Sequence, residues 1–183
     1  MIKRRKTLKT LSFATASGLI FPSFLFTACQ SNTFQAIFFT NETLHLINDI
    51  AETILPTTAD SKGAGSINVA NFIDIYAKEC FSLEEQNKLK TGLIVFEENC
   101  QQKHGQSFIA LAPLEKHNYL VEMDDSAMNS TNPHYFSTLK ELVIFSYFTS
   151  KEGTENALRY VPIPGKYDGD YPFEKGDKAW ALA

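Results

Sequence analysis

Arginine is scarce in this chain, cysteine is scarcer in any useful pattern, and the glycine-rich signatures of nucleotide chemistry are missing. After Arg4 and Arg5 the only arginine in the 183 residues is Arg159, which leaves a single guanidinium to grip a phosphate. No CxxCH is present, so the sequence has no attachment point for a c-type haem. GxGxxG, the P-loop and GxSxG are all absent, and with them the usual marks of dinucleotide binding, phosphate cradling and acyl transfer. His45, His104, His117 and His134 share neither HExxH nor any metal-ligand spacing. Asp168, Asp170 and Asp177 crowd the C-terminal segment but miss the EF-hand register and read as solvated loop acids. The residues themselves nominate no catalytic, cofactor-binding or metal-ligating group.

What is present is an ordinary globular composition with an uneven charge. Hydrophobic residues make up 44% and aromatic residues 13%, with 15 phenylalanines. Five of the 17 basic residues, Lys3, Arg4, Arg5, Lys6 and Lys9, lie at the start, where none of the 21 acids do. Without residues 1–28 the balance is 12 basic to 21 acidic, a net charge of −9. So acidic a body excludes nucleic acid as a partner.

Residues 1–28 read as an export signal: a basic start, then an apolar run from Leu11 to Ala28 interrupted by Pro22. Arg4 and Arg5, followed by Leu8 and Lys9, resemble a twin-arginine motif, the route that carries folded cargo. Leu25-Phe26-Thr27-Ala28-Cys29 resembles a lipobox, in which Cys29 is lipidated and becomes the new N-terminus. Simple cleavage and a retained anchor are the alternatives, since the run approaches the roughly 20 residues that span a bilayer. Each places the body on the periplasmic side of a bacterial membrane. Residues 29–42 then serve as a polar tether.

From Thr40 onward the apolar spacing is helical. Leu44, Ile47, Ile50, Ala51 and Ile54 form one stripe that Pro56 ends. Ser66 is the expected cap of a helix carrying Val69, Phe72, Ile73, Tyr76, Ala77 and Cys80. Ser82-Leu83-Glu84-Glu85 is a capping box opening a longer helix through Leu89, Leu93, Phe96 and Cys100, closed by Gly105. Pro113 starts a fourth helix with Leu114, His117, Leu120 and Val121, and Asp124 to Asn132 is expected to be a polar connector. Pro133 is expected to start the most apolar helix, with Phe136, Leu139, Leu142, Val143, Phe145 and Phe148. Its apolar positions lie on more than one side, so it is either central or covered by a partner. A capping box at Thr149–Glu152 opens a short helix reaching Tyr160. The Pro- and Gly-rich remainder runs extended, and its aromatics pin it to the bundle.

The fold expected is therefore all-α, a bundle of five to six helices with an extended tail. Cys80 ends one helix and Cys100 lies roughly 25 Å along the next, so the two sulfurs are expected to stay unpaired. Arg159, Tyr160, Tyr167, Tyr171 and Trp180 form a candidate partner interface, because Tyr, Trp and Arg are the types enriched at hot spots.

Several segments together resemble subunit 3 of the membrane-associated gluconate 2-dehydrogenases. They are Ile50–Thr58, Val69–Asp74, His134–Leu142, Tyr147–Gly153 and Ala157–Gly169, with Gly176–Ala181 at the end. The likeness runs over residues 43–181. It implies a non-catalytic accessory subunit, made for a large flavoprotein of the glucose–methanol–choline oxidoreductase type that oxidises a sugar or sugar acid. A cytochrome c subunit takes the electrons onward, so FAD and haem c belong to the partners and no cofactor to this chain. The resemblance also implies that relatives carry a cysteine where Asp170 stands here, paired with one near Cys80, and that this disulfide is lost. A free-standing periplasmic lipoprotein and an independent enzyme are the competing classes. Residues 43–183 form the helical domain.

Overall fold

A computed structural model describes residues 34–163, 165 and 169–181. The export motif at Arg4, Arg5, Leu8 and Lys9, the lipobox Cys29 and the tail residue Tyr167 lie outside these. Among the described residues there are five α-helices: α1 (Asn41–Ile54), α2 (Val69–Cys80), α3 (Leu83–His104), α4 (Pro113–Met128) and α5 (Tyr135–Thr149). Short 3-10 turns at Gly65–Ile67 and Phe108–Ala110 and a π-helical turn at Gly153–Ala157 complete the regular structure. The expected all-α bundle is what forms.

Most helix starts are fixed by a cap or by proline. Thr40 accepts from the Thr43 N–H at 3.2 Å to start α1, and Pro56 stops it. The capping box of α3 is complete, with Glu85 accepting from the Ser82 N–H at 2.8 Å, and Gly105 closes the helix at φ 74°. Pro113 occupies the first turn of α4 as expected.

Three boundaries differ from the sequence reading. Ser66 does not cap α2: its N–H and hydroxyl go to Glu52, and Asn68 turns the chain at φ 56° instead. The first turn of α2 is capped from another helix, Asn48 on α1 accepting from the Ala70 N–H at 3.1 Å. Helix α4 continues to Met128 because Ala127 is buried and Asp124 forms an ion pair with Lys140 of α5, so half of the expected connector is helical. Helix α5 starts at Tyr135, with the ring nitrogen of His134 accepting from the Phe136 N–H, and Pro133 lies before the cap.

Helix α5 is the centre of the bundle and packs on all four others. Phe136, Leu139, Leu142, Val143 and Tyr147 are buried along it. Its approach to α3 depends on Gly92: a Cβ there would lie 2.1 Å from the Tyr135 ring. A second aromatic knot joins Phe96, Phe108 and Tyr119, and the Tyr119 hydroxyl donates to the Phe96 carbonyl at 2.9 Å. Burying each of these large side chains contributes roughly 2–3 kcal/mol.

The segment before α1, read from sequence as the end of the tether, is docked. Fully buried Asp74 on α2 accepts from the backbone N–H groups of Ile37, Phe38 and Phe39 at 2.8, 3.1 and 2.7 Å. Phe38 and Phe39 are thereby buried, and Lys90 lies 3.9 Å over the Phe38 ring. Cys80 is exposed and Cys100 buried, and both are free thiols. Burial, reinforced by the Glu97 carboxylate, pushes the Cys100 thiol up to about 11.

Candidate partner interface

The tail begins where α5 ends. Ser150 accepts from the Gly153 N–H at 3.1 Å, and the chain widens into the π-turn. Gly153 sits so close to the preceding turn that a Cβ would lie 2.1 Å from the Tyr147 carbonyl oxygen. The expected helix to Tyr160 therefore stops at Ala157, and the extended backbone that follows brings Arg159 to the surface.

There the strap of residues 169–181 folds back and closes on Arg159. The Arg159 N–H donates to the Ala179 carbonyl at 2.8 Å, and the Ala181 N–H to the Arg159 carbonyl at 2.9 Å, a single parallel bridge. The guanidinium lies 4.2 Å from the Trp180 ring centre and 4.7 Å from that of Tyr171. It also donates to the Tyr171 hydroxyl at 2.8 Å. The two rings meet edge to face at 5.4 Å. A turn in which the N–H of Glu174 donates to the Asp177 carboxylate, with Gly176 at φ 108°, lets the strap return.

Of the five sequence-nominated residues, Arg159, Tyr171 and Trp180 thus share one cluster, and Tyr160 adjoins it in the chain. The sequence reading had these aromatics pinning the tail to the bundle; among the described residues, Tyr171 and Trp180 gather on Arg159. Tyr160, Tyr171 and Trp180 remain 43–44% exposed and Phe173 is 73% exposed. The strap closes on Arg159 because a guanidinium can face two rings and still donate a hydrogen bond.

One end of the bundle is knitted to this region through groups that the sequence analysis did not single out. Glu52 on α1 accepts from the N–H and hydroxyl of both Thr57 and Ser66, drawing the 55–66 loop closed. Burial opposes its charge, but these four donors outweigh burial and hold the carboxyl below the ordinary range. The Tyr147 hydroxyl donates to the Lys62 carbonyl at 2.8 Å, and the Lys62 N–H donates to Glu152 at 2.7 Å. That bond, with one from Asn156, lowers the Glu152 carboxyl too. Lys178 of the strap donates to the Asn156 carbonyl. The 55–66 loop, residues 147–156 and the strap are therefore neighbours in space.

The described residues of this surface present ring faces, one guanidinium and hydrogen-bonding groups. Among the described residues, no three His, Cys, Asp or Glu side chains are grouped to hold a metal. His134 serves as a helix cap and the His104 ring stands edge-on to Tyr119 at 5.7 Å.

No curated protein and no solved structure matches the chain significantly. A family model does: the one described as gluconate 2-dehydrogenase subunit 3 matches residues 41–165, more than half of the sequence. The match takes in all five helices, the Glu52 loop, the π-turn and Arg159, and it stops before Tyr171 and Trp180. By this match, and by the all-helical body that it covers, the chain belongs to the gluconate 2-dehydrogenase subunit 3 family.

Proposed function

We propose that this chain is the non-catalytic small subunit of a sugar or sugar-acid dehydrogenase complex, where it assists export and maturation of a flavoprotein large subunit. The partner is of the glucose–methanol–choline oxidoreductase type and carries FAD, and a cytochrome c subunit with haem c receives the electrons. The twin-arginine-like start at Arg4 and Arg5 serves the pair, and Cys29 holds the complex on the periplasmic face of the membrane through its lipid.

The observation that carries the reading is the Arg159–Tyr171–Trp180 cluster. An arginine held against two half-exposed aromatics is a preorganised anchor of the kind that dominates protein interfaces. It stands on a chain of the subunit 3 family with no catalytic constellation of its own among the described residues.

Coexpression with a flavoprotein gene adjacent to this one tests the proposal. The flavoprotein should reach the periplasm with flavin bound only when this chain is present, and Arg4→Lys with Arg5→Lys should strand both inside. Unaided export of active flavoprotein would overturn the accessory role.

A further inference from the structure

Helices α2, α3 and α5 enclose a groove of about 700 Å³ that shares no residue with the Arg159 cluster. One wall is aromatic. Tyr76, Phe81 and Phe145 line it: the Phe145 ring lies 6.0 Å from Tyr76, and Tyr76 meets Phe81 edge to face at 5.8 Å. Phe72, beside the groove, extends the aromatic surface at 5.7 Å from Tyr76 and 6.0 Å from Phe145. Phe72 and Phe145 are 41% and 48% exposed, although Phe145 belongs to the helix that is otherwise the buried centre of the bundle. The rim bears Glu84, Glu85 and Glu141 against one cation, Lys88.

We infer that this groove is a second docking site, which takes a basic segment of a partner protein and seats a lysine or arginine against the aromatic wall beside an apolar side chain. Contiguous exposed apolar surface marks interaction sites. The ring faces attract a cation, and three rim carboxylates supply the complementary charge. The groove volume lies in the range that encloses a few side chains. The same carboxylates repel an anionic bilayer surface, so a protein segment fits and a membrane does not.

Titration of the isotope-labelled protein with a short helical peptide of leucine and lysine, followed by two-dimensional NMR, tests this. The expected result is saturable binding with shifts confined to the groove residues, and about tenfold weaker binding in Phe145→Ala. The double variant Glu84→Lys, Glu141→Lys should lose binding to a similar degree. These side chains are exposed, so circular dichroism should be unchanged in both variants. A glutamate-for-lysine peptide should not bind. Shifts scattered over other acidic surfaces, variants that bind like the parent, or equal binding of the glutamate peptide would each overturn the assignment. Groove-dependent binding to phosphatidylglycerol vesicles would overturn the choice of a protein segment.

Discussion

Arg159 and Trp180 are joined twice, once through the backbone bridge and once through the guanidinium lying 4.2 Å from the indole ring centre. Trp180 is the only tryptophan in the chain, so its fluorescence reports this contact alone. Arg159→Ala removes the stacking cation and the bond to Tyr171, a loss of about 1 kcal/mol at an exposed site. The expected outcome is a red-shifted emission and faster trypsin cleavage at Lys175 and Lys178, with helical circular dichroism unchanged. Unaltered emission would show that the strap closes without Arg159.

Gly92 is required by Tyr135. Replacing a helical glycine by alanine ordinarily stabilises by about 1 kcal/mol. Here the added Cβ would lie 2.1 Å from the ring that fills the space between α3 and α5, so Tyr135 must leave or the helices must part. Gly92→Ala should therefore destabilise by about 1–3 kcal/mol in urea denaturation. A gain in stability would contradict the packing described.

Asp74 holds the segment before α1 by three backbone N–H groups while fully buried. An asparagine keeps the shape but has one acceptor oxygen and turns an NH₂ toward a donor. Asp74→Asn should cost about 2–4 kcal/mol. Hydrogen exchange should accelerate most at the Ile37 amide, which then faces the new NH₂, while the remaining oxygen still accepts from Phe38 and Phe39.

Glu52 makes part of the stability pH-dependent. Its carboxyl in the folded protein is lower than in the unfolded chain, so the unfolded state binds a proton first as pH falls. The Glu52 contribution is thus complete above the ordinary carboxylate range and is lost as pH drops through the lowered folded value. Glu52→Gln should flatten the acidic limb of the stability profile and leave the neutral-to-alkaline slope unchanged. An acidic limb identical to the parent's would show that the Thr57 and Ser66 bonds do not favour the charged form.

The sequence carried the helices legibly because stripes, capping boxes and terminal glycine or proline are local signals. The Ser82–Glu85 box and Gly105 formed where their patterns placed them. The boundaries that moved were set by distant partners. Asn48 caps α2 from α1, and Lys140 helps hold the end of α4 through Asp124, and neither is visible in a window of adjacent residues. The tail shows the same limit. Its composition pointed to Arg159, Tyr171 and Trp180, but that they gather in one cluster follows from a bridge between positions 159 and 180. The aromatic groove was only partly legible: Phe72 and Tyr76 read as core positions, and Phe145 belonged to a helix read as either central or covered by a partner, while the helix crossing that leaves their edges outside is not a local signal.

The central claim is that the Arg159 cluster holds a flavoprotein large subunit. Its most direct test is affinity capture of the tagged full-length chain from detergent-solubilised membranes of its native host, read by flavin absorbance and mass spectrometry. The account predicts a stoichiometric FAD-bearing dehydrogenase with the parent chain and its loss with Arg159→Ala, Trp180→Ala, although the variant stays folded. Capture of the parent chain alone, or equal recovery of the flavoprotein by the variant, would contradict it.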